Sequence, residues 1–379
     1  MAANTMTRDR LRALADVHPR RGRVLSVFLN LDPSEFATPV ARSSAITSVM
    51  TEAARRVEQA DGLEHDEREA LKQDVQRVRE ALTTTDIASN GTRAVAVYSC
   101  VLEDLLEVVS LRRPVGSSVV LERTPYVEPL IADADTERWC VLLVNRRNAR
   151  IFVGDGGALE ETDRVEDDVH SQHDQGGWSQ SNYQRGVDKE KDDHLVHVAA
   201  VAFDSYKLRG FDRLLIGAPD ELAGEVKQKL HPYLRERVAG RLSLDVENSS
   251  LDDVRAATAT AVEDWARRRE REWLDRLTEG VGRGGRGAAG LGRVLAALNE
   301  ARVEALLLGE GFRSPGGRDR ETGMLYPGDE GPGGSALEHC EDVAEAAIEK
   351  AIEQSAKIIV VRHHDDLGPL GGIGAVLRY

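Results

Sequence analysis

Apolar and polar residues recur along the chain in two periods, and together these periods predict an α/β protein. The stretch VLSVFLNL (24–31) is apolar and β-branched and ends at Asp32-Pro33, which predicts a buried strand. Ala, Val and Leu recur at helical spacing between charged residues over roughly 41–60 and 64–82, which predicts two helices. Further strands are predicted at TRAVAVYSC (92–100), LLEVVSL (105–111) and SSVVLER (117–123).

A boundary is predicted where Pro125 and Pro129 precede the acidic, small-residue stretch ADADTE (132–137). After it, RWCVLLVNRRNARIFVGDGG (138–157) holds two apolar runs around a polar turn, which is typical of a β-hairpin. The segment ALEETDRVEDDVHSQHDQ (158–175) is acidic and poor in apolar residues. We therefore expect it to run along the surface into a loop that begins with two glycines.

Helical periodicity returns in DKEKDDHLVHVAAVAFDSYKLRG (188–210), where Gly210 is a typical residue to end a helix. The apolar residues of this helix share one face: Leu195, Val198, Ala199, Ala202, Phe203 and Tyr206. The elements predicted next are a strand at FDRLLIGAP (211–219), a helix over 221–238 interrupted near Pro232, and a long charged helix at about 251–278.

The stretch GVGRGGRGAAG (280–290) is rich in glycine and arginine and is predicted to be a hinge at a second boundary. The elements predicted after it are a helix over 290–302, a strand over 303–309, a Gly/Pro-rich excursion over 310–335, a helix over 336–355, a strand over 357–362 and the ending LGGIGAVLRY (370–379). Alternation of this kind is typical of a small α/β sandwich.

The predicted fold is α/β in three domains. At 379 residues the chain is too long for one ordinary hydrophobic core. We place an N-terminal α/β domain at residues 1–134, a central domain at 135–279 and a C-terminal domain at 280–379. With only 4% aromatic residues, the cores are expected to consist of Leu, Val, Ile and Ala.

The cysteines and the apolar runs indicate where the protein is expected to work. Cys100, Cys140 and Cys340 lie far apart and form no CxxC pair, which favours a reducing compartment over a disulfide framework or a structural zinc site. No apolar run is long enough to span a bilayer, and the N-terminus lacks the apolar region of a signal peptide. We expect a cytoplasmic protein without a membrane partner.

The formal net charge of -15 weighs against a general nucleic-acid binder and against DNA as a partner. Basic clusters are nevertheless present within the acidic chain, and they are candidate docking faces: RRGR (20–23), NRRNAR (145–150), RRRER (267–271) and RGGR (283–286).

Metal and cofactor sites are not expected. HHDD (363–366) follows a buried strand, but adjacent residues at a strand end point in different directions. His170 and His173 lie in a polar segment without an apolar surround. Cys340 is interpreted as a small core residue on a helix. The glycines of GDGG (154–157) have neither P-loop nor dinucleotide-binding spacing, and no GxSxG or HExxH motif is present.

Residues Gly176–Arg185, GGWSQSNYQR, are called here the Gly-Gly segment. Paired glycines let another backbone approach closely. Ester hydrolysis needs a positioned water and donors for the developing oxyanion, which main-chain amides and the Gln180 side chain can supply. The other interpretation of this segment is a plain surface loop.

Residues in and after the Gly-Gly segment have chemistry suited to RNA. Arg185 and either Lys189 or Lys191 can contact phosphates, and Trp178 and Tyr183 can stack on bases. Ser179 adds a hydroxyl beside Trp178.

The order of features along this part of the chain resembles one family. The features are Gly-Gly, Ser/Gln/Asn, an Arg-ended polar turn, a charged stretch with His194, a Val/Ala-rich helix and the strand RLLIGAP. It is similar to the central domain of the archaeal and eukaryotic class-1 peptide-chain release factors and Pelota. The hairpin CVLLVNRRNARIFVGDGG looks like the opening strands of that domain, and LGGIGAVLRY (370–379) resembles the ending of the family's third domain. The resemblance covers roughly residues 138–379.

This resemblance implies an RNase-H-like central domain with a Gly-Gly loop, a C-terminal α/β sandwich of the kink-turn-binding ribosomal-protein type, and a shape that imitates tRNA in the ribosomal A site. It implies catalytic roles for Gly176, Gly177 and Gln180. RNA contacts are implied for the residues already singled out: Trp178, Ser179, Tyr183, Arg185 and Lys189.

The implied function is codon-independent ribosome rescue by hydrolysis of peptidyl-tRNA, because the N-terminal third shows no stop-codon-reading motif. The alternative is a non-enzymatic, Balon-like hibernation factor that occupies the A site. Trp178 and Ser179, which separate the glycines from Gln180, favour that alternative. Expected partners are the ribosome, through rRNA and peptidyl-tRNA, and a translational GTPase such as elongation factor Tu.

Overall fold

The computed structural model describes residues 4–36, 38–84, 92–134, 137–155, 159–167, 180–283 and 285–379. The chain forms two compact units. One consists of Met1–Asp135 together with Glu270–Tyr379, and the other, called here the central unit, consists of Thr136–Arg269. The three-domain division remains a prediction.

The described residues form strands and helices in alternation. The strands are β1 (Asn4–Thr5), β2 (Val24–Asn30), β3 (Ala94–Cys100), β4 (Leu105–Leu111), β5 (Ser118–Glu122), β6 (Arg138–Val144), β7 (Asn148–Asp155), β8 (Glu160–Glu166), β9 (Arg213–Gly217), β10 (Val238–Leu242), β11 (Gly287–Ala289), β12 (Val303–Gly309), β13 (Gly316–Arg318), β14 (Leu325–Tyr326), β15 (Glu338–Cys340), β16 (Lys357–Val361) and β17 (Ile373–Leu377). The helices are α1 (Arg8–Ala15), α2 (Pro39–Gln59), α3 (His65–Thr84), α4 (Glu128–Ala134), α5 (Gln180–Arg209), α6 (Asp220–Lys229), α7 (Pro232–Arg235), α8 (Leu251–Arg283), α9 (Leu291–Asn299) and α10 (Val343–Glu353).

The first unit contains a five-stranded sheet in the order β1-β4-β3-β2-β5. Its pairs are antiparallel apart from β1 with β4. Side chains of β2 alternate between two cores: Val27 packs in the core that holds residues of α2 and α3, and Phe28 packs on the opposite side. The predicted strands at 24–31, 92–100, 105–111 and 117–123 and the two helices between them are confirmed.

The same unit contains a four-stranded sheet in the order β11-β17-β12-β16 and a three-stranded sheet in the order β14-β13-β15. Residues of both halves of this unit share one hydrophobic core, in which Phe28 and Tyr98 of the first sheet belong with Leu298 of α9 and Ile348 of α10. The predicted alternation of helix and strand at the end of the chain is confirmed.

The central unit is built on a mixed five-stranded sheet in the order β10-β9-β6-β7-β8. Strands β6, β7 and β8 pair antiparallel, and β9 and β10 continue from β6 in parallel. Leu142 packs in the core that holds residues of α5 and α6, whereas Val141 packs in the core that holds residues of α8. Numbered within the unit, the strand order is 3-2-1-4-5, the RNase-H-like arrangement that the family resemblance implies. The α/β class is confirmed.

One prediction about the central unit is wrong. Within the acidic stretch that we expected to run along the surface, Glu160–Glu166 form β8, which pairs with β7 as an edge strand and buries Val165. Its other residues are polar and at least partly exposed, so the apolar signal of a buried strand is missing. The helix predicted over 221–238 with an interruption near Pro232 is confirmed as α6 and α7, except that its last residue, Val238, begins β10.

Two predictions about the end of the chain also need correction. Cys340 lies on β15, not on a helix, because α10 begins only after Asp342, whose carboxylate caps the helix by accepting from the amide of Ala344 at 3.0 Å. Helix α8 continues to Arg283 and so enters the stretch 280–290 that we predicted to be a hinge. Among the described residues, no helix is long and apolar enough to cross a membrane.

Candidate functional site

The Gly-Gly segment follows β8 along the chain of the central unit, and its last six residues, 180–185, belong to α5. Gly176, Gly177, Trp178 and Ser179 fall outside the described residues. The helix that we predicted to begin at 188 already begins at Gln180. Between Gln180 and Arg185 the chain has no glycine or proline, and the single Gly186 costs a helix only about 1 kcal/mol, so helix propagation through this stretch is favourable.

Because α5 begins at Gln180, three predicted site residues lie in a helix. Gln180, Tyr183 and Arg185 lie in the first turns of α5, so the prediction that they belong to a loop is wrong. Their predicted roles in catalysis and RNA binding remain predictions. With Gln180 at the first position of a helix, its backbone is fixed more firmly than that of a residue in a glycine loop.

Lys189 is the predicted RNA-binding residue whose side chain the structure describes. It is exposed, and no carboxylate of the described residues lies within ion-pair distance of its ammonium group. The neighbouring lysine differs, because Lys191 Nζ lies 2.9 Å from Glu225 Oε2 on α6. A second pair joins the same helices, between Lys229 Nζ and Asp192 Oδ1 at 2.6 Å. These pairs fix α5 against α6.

A cluster of Asp167, His194 and His197, called here the histidine clamp, joins the end of β8 to α5. The Nδ1 atom of His194 lies 2.7 Å from one carboxylate oxygen of Asp167, and the Nδ1 atom of His197 lies 3.1 Å from the same oxygen. The His194 side chain is completely buried, whereas His197 is exposed. The clamp therefore holds together the two elements that flank the Gly-Gly segment.

The protonation pattern of the histidine clamp follows from its geometry. An ionised carboxylate only accepts hydrogen bonds, so each imidazole donates through Nδ1. Burial raises the pKa of Asp167, but the hydrogen bonds from His194 and His197 outweigh it and hold that pKa below its usual range. The Nε2 atom of His194 is buried and has no hydrogen-bond partner among the described residues. In the neutral imidazole this nitrogen can accept from an incoming donor.

Replacing Asp167 with asparagine is expected to destabilise the central unit by about 1 kcal/mol at pH 7, because the buried His194 loses a charged acceptor. Since the folded-state pKa of Asp167 is lowered, the carboxylate stabilises the fold above its ordinary pKa of 3.8 and loses that effect as the pH falls through the lowered value. The advantage of the wild type over the variant should therefore shrink in acid. Calorimetry of both proteins between pH 3 and pH 7 checks this.

Glu166→Gln is a matched control for that experiment. Glu166 precedes Asp167, is exposed, and lies 3.9 Å from Arg164 in a surface pair. Such a pair contributes little, so this variant should differ from the wild type by less than about 0.5 kcal/mol across the pH range. Equal, pH-independent effects of the two substitutions would contradict the role given to the clamp.

Each of three predicted basic docking clusters contains arginines that pair with carboxylates of the protein. In 267–271, Arg267 pairs with Glu263, Arg269 with Glu137 and Arg271 with Asp275; in 145–150, the buried Arg150 pairs with Glu161; in 20–23, Arg21 lies near Glu64. Arg147, at the turn between β6 and β7, is exposed. The cationic surface is thus smaller than the sequence indicates.

The histidines that we considered as metal ligands are engaged otherwise or lie outside the described residues. His363 Nε2 lies 3.7 Å from Glu270 Oε1, and Asp366 pairs with Arg271 at 2.8 Å. His170 and His173 fall outside the described residues. Within the part of the chain that the structure describes, no three His, Cys, Asp or Glu side chains are grouped so as to hold a metal ion.

A family model and two curated relatives match the release-factor family that the sequence resembles. Residues 125–279 match the model of the bacterial archaeo-eukaryotic release factor family 10. Peptide chain release factor subunit 1 of Thermoplasma acidophilum is 23% identical over 271 residues, which are 65% of this chain and 64% of that protein. Its counterpart in Picrophilus torridus is 20% identical over 265 residues, which are 63% of this chain and 64% of that protein. The chain thus spans 64% of the length of each of these relatives.

A solved structure of Archaeoglobus fulgidus Pelota aligns with 99% of this chain and 93% of its own length, at 16% identity and a TM-score of 0.37. The family match over residues 125–279 and the two relatives support a bacterial-type member of the archaeal and eukaryotic release-factor superfamily. The resemblance that the sequence shows is confirmed.

Proposed function

We propose that the protein is a cytoplasmic, ribosome-associated factor of release-factor type that acts without reading a codon and hydrolyses peptidyl-tRNA through its Gly-Gly segment. The observation that carries this proposal is the family match over residues 125–279, which includes the whole central unit and the Gly-Gly segment. The names of the two archaeal relatives, peptide chain release factor subunit 1, support the same assignment.

In this proposal the Gly-Gly segment reaches the peptidyl-transferase centre. Gly176 and Gly177 shape the backbone so that it approaches the ester bond closely. The Gln180 amide or a neighbouring backbone N–H positions the attacking water and meets the developing oxyanion. Peptide and tRNA separate when the water oxygen bonds to the ester carbonyl carbon, the bond to the tRNA 3′ oxygen breaks, and the water's second proton passes to that leaving oxygen.

The residues around the Gly-Gly segment support contact with RNA. The exposed ammonium group of Lys189 has no ion-pair partner among the described residues and is suited to an rRNA phosphate. Arg185 is proposed to steady the same end of α5 on rRNA, while Trp178 and Tyr183 stack on bases and Ser179 donates a hydrogen bond. The histidine clamp gives this end of the unit a fixed base.

The remaining partners are proposed from the family alone. The protein is proposed to occupy the A site in the manner of a tRNA, which places the central unit toward peptidyl-tRNA. A translational GTPase such as elongation factor Tu is the proposed delivery factor.

A second candidate function is non-enzymatic hibernation, in which the same segment binds the peptidyl-transferase centre without cleaving an ester. Two observations favour it. Trp178 and Ser179 separate Gln180 from the paired glycines, and Gln180 is the first residue of α5. A bulky indole beside the glycines suits stacking better than it suits positioning water.

Cosedimentation with ribosomes tests the proposed function. Purified 70S ribosomes that carry peptidyl-tRNA and have an empty A site are incubated with the protein and pelleted, and peptide release is measured in the same samples. We expect the protein to pellet with the ribosomes and to release peptide. Pelleting without release would support hibernation, and failure to pellet would contradict both candidates.

The variant Lys189→Glu makes the cosedimentation test specific to the proposed RNA-facing end of α5. Loss of one phosphate contact is expected to weaken ribosome binding about threefold to tenfold. Lys227→Glu is the matched control, because Lys227 is an exposed lysine of α6 with no ion-pair partner among the described residues. Equal effects of the two variants would contradict the placement of Lys189 on rRNA.

A further inference from the structure

A groove of about 480 Å³ lies on the central unit at the carboxyl end of α5, and nothing in the proposed function uses it. We call it the aromatic–arginine groove. Residues from α5, from the turn into β9, from the start of β6 and from the chain after α7 line it: Arg138, Tyr206, Lys207, Arg209, Gly210, Phe211, Asp212 and Arg237. The Asp212 carboxylate accepts from the backbone amide of Arg138 at 2.8 Å and so is engaged by the main chain. Helix α5 has 30 residues and is about 45 Å long, so the groove is remote from the Gly-Gly segment at the opposite end.

Two of the lining arginines are held in place without a carboxylate. The Nη1 atom of Arg138 donates to the carbonyl oxygen of Arg209 at 2.6 Å, and that of Arg237 donates to the carbonyl oxygen of Tyr233 at 2.7 Å. No carboxylate of the described residues lies within ion-pair distance of either guanidinium group. Each arginine therefore keeps donors that its helix-capping hydrogen bond does not use.

Arg237 presents a buried donor in the groove. Its Nε atom is buried and has no hydrogen-bond partner among the described residues. A buried donor without an acceptor is unfavourable, so an anion that reached the groove would find an N–H group already oriented. The guanidinium also lies over the Tyr206 ring, 4.7 Å from its centre, which fixes its plane.

The other two cationic residues that line the groove, Lys207 and Arg209, form ion pairs. Lys207 Nζ lies 2.6 Å from Asp204 Oδ1, and Arg209 Nη1 lies 3.3 Å from Asp163 Oδ2. They contribute less to anion binding than Arg138 and Arg237, because their charges are already partly compensated.

Aromatic rings line up beside the cations. Phe203 stacks on His231 with ring centres 3.9 Å apart and on Tyr206 at 6.2 Å, and His231 meets Tyr233 edge to face at 4.9 Å. Phe203, Tyr206 and His231 are half-buried, and Tyr233 is 56% exposed. The whole chain has only 4% aromatic residues, so this row is a local concentration.

Packing alone accounts for only part of the arrangement. The contact of α5 with the turn before α7 explains the stack of Phe203 on His231. It does not explain why Tyr233 exposes its ring, or why two guanidinium groups lie here with no carboxylate of the described residues within ion-pair distance. Half-exposed aromatic rings beside uncompensated arginines are the combination that binds single-stranded nucleic acid, through base stacking and phosphate contacts.

We propose that the aromatic–arginine groove binds single-stranded RNA. Arg138 and Arg237 contact phosphates. Tyr233 lies beside the groove, where its carbonyl oxygen accepts from Arg237, and its exposed ring stacks on an unpaired base. An acidic peptide would use the arginines but not the aromatic faces, so RNA fits the groove better. The proposal depends on the groove alone and holds whether or not the Gly-Gly segment hydrolyses peptidyl-tRNA.

Fluorescence anisotropy with the full chain and a labelled single-stranded ten-residue oligouridylate tests the proposal. Two phosphate contacts predict that the logarithm of the binding constant falls with the logarithm of the salt concentration with a slope of about -1.4. The net charge of -15 repels RNA elsewhere on the surface, so binding should depend on the groove. A duplex RNA of the same length and a polyglutamate peptide are the competitors.

The double variant Arg138→Gln, Arg237→Gln is expected to weaken oligouridylate binding at least about tenfold and to flatten the salt dependence. Tyr233→Ala is expected to weaken it about tenfold through lost stacking, and this exposed position keeps the test valid if the double variant does not fold. Arg235→Gln, at an exposed arginine of α7 outside the groove, should bind like the wild type.

Several results would overturn the proposal. These are no binding by the wild type at 50 mM salt, equal loss in Arg235→Gln and the groove variants, or stronger competition by polyglutamate than by unlabelled oligouridylate. Gln180→Ala should bind oligouridylate normally, because Gln180 lies at the far end of α5. Failure of this experiment is thereby distinguished from failure of ribosome cosedimentation.

Discussion

Replacing Gly287 with alanine is expected to lower the free energy of unfolding of the unit formed by Met1–Asp135 and Glu270–Tyr379 by about 2–3 kcal/mol. A Cβ atom at Gly287 would lie 2.6 Å from the backbone nitrogen of Val281 and 2.9 Å from the carbonyl oxygen of Leu277. Both atoms belong to the backbone of α8, which cannot rotate away as a side chain does. Strand β11 or the end of α8 would have to shift within a close-packed unit.

Calorimetry of the purified variant checks this prediction, because the transition of a unit of this size should move down by about 5–10 °C. Gly282→Ala is the matched control. Gly282 lies in the last turn of α8, and a Cβ there would meet nothing within 4 Å. Alanine is favoured over glycine in a helix, so this variant should keep or raise the stability by up to about 1 kcal/mol. Equal losses from both substitutions would contradict the close contact.

The contrast between these two glycines explains why a glycine-rich sequence at 280–290 predicts a hinge where α8 continues to Arg283. Glycine permits flexible backbone, and it also permits two backbones to approach closely. Sequence alone does not separate the two uses. In the folded protein α8 runs into the stretch as far as Arg283, and Gly287 begins β11, packed against that helix.

Strands whose residues are all buried could be predicted well from the sequence. Strand β3 is buried at every position, so its sequence is an uninterrupted apolar run apart from one serine. Strand β8 lies at the edge of its sheet and has the sequence EETDRVE, in which only Val165 is buried. Edge strands gain solubility from charge, and the same charge removes the apolar pattern by which a strand is predicted.

In the candidate site, too, some features could be predicted from the sequence and others could not. The position of the Gly-Gly segment follows from its neighbours along the chain. The histidine clamp does not, because Asp167 and His194 are 27 residues apart and their contact depends on how β8 packs beside α5. The arginines of 267–271 are visible in the sequence, but the pairing of Arg269 with Glu137, 132 residues away, is not.

The aromatic–arginine groove shows the limit of helical periodicity. Phe203 and Tyr206 share the apolar face of α5 with Leu195 and Ala202, so the sequence predicts that all of them face the core. Leu195 and Ala202 are buried, whereas Phe203 and Tyr206 are half exposed. Periodicity identifies a face of the helix, but not the point along the helix at which the core ends.

Replacing Gln180 with alanine is expected to slow peptide release from ribosome-bound peptidyl-tRNA about 100-fold, the usual effect of removing one group that stabilises a developing oxyanion or its water. Gln184→Ala is the matched control, because Gln184 has the same side chain and lies one helical turn further along α5. This control should release peptide within about twofold of the wild-type rate.

The rate of peptide release by these three proteins tests the central claim most directly. It is measured in a single turnover, with saturating protein on purified ribosomes that carry peptidyl-tRNA. We predict fast release by the wild type and by Gln184→Ala and slow release by Gln180→Ala. Release by Gln180→Ala at the wild-type rate, or stable ribosome binding by the wild type without release, would contradict hydrolysis through Gln180 in the Gly-Gly segment.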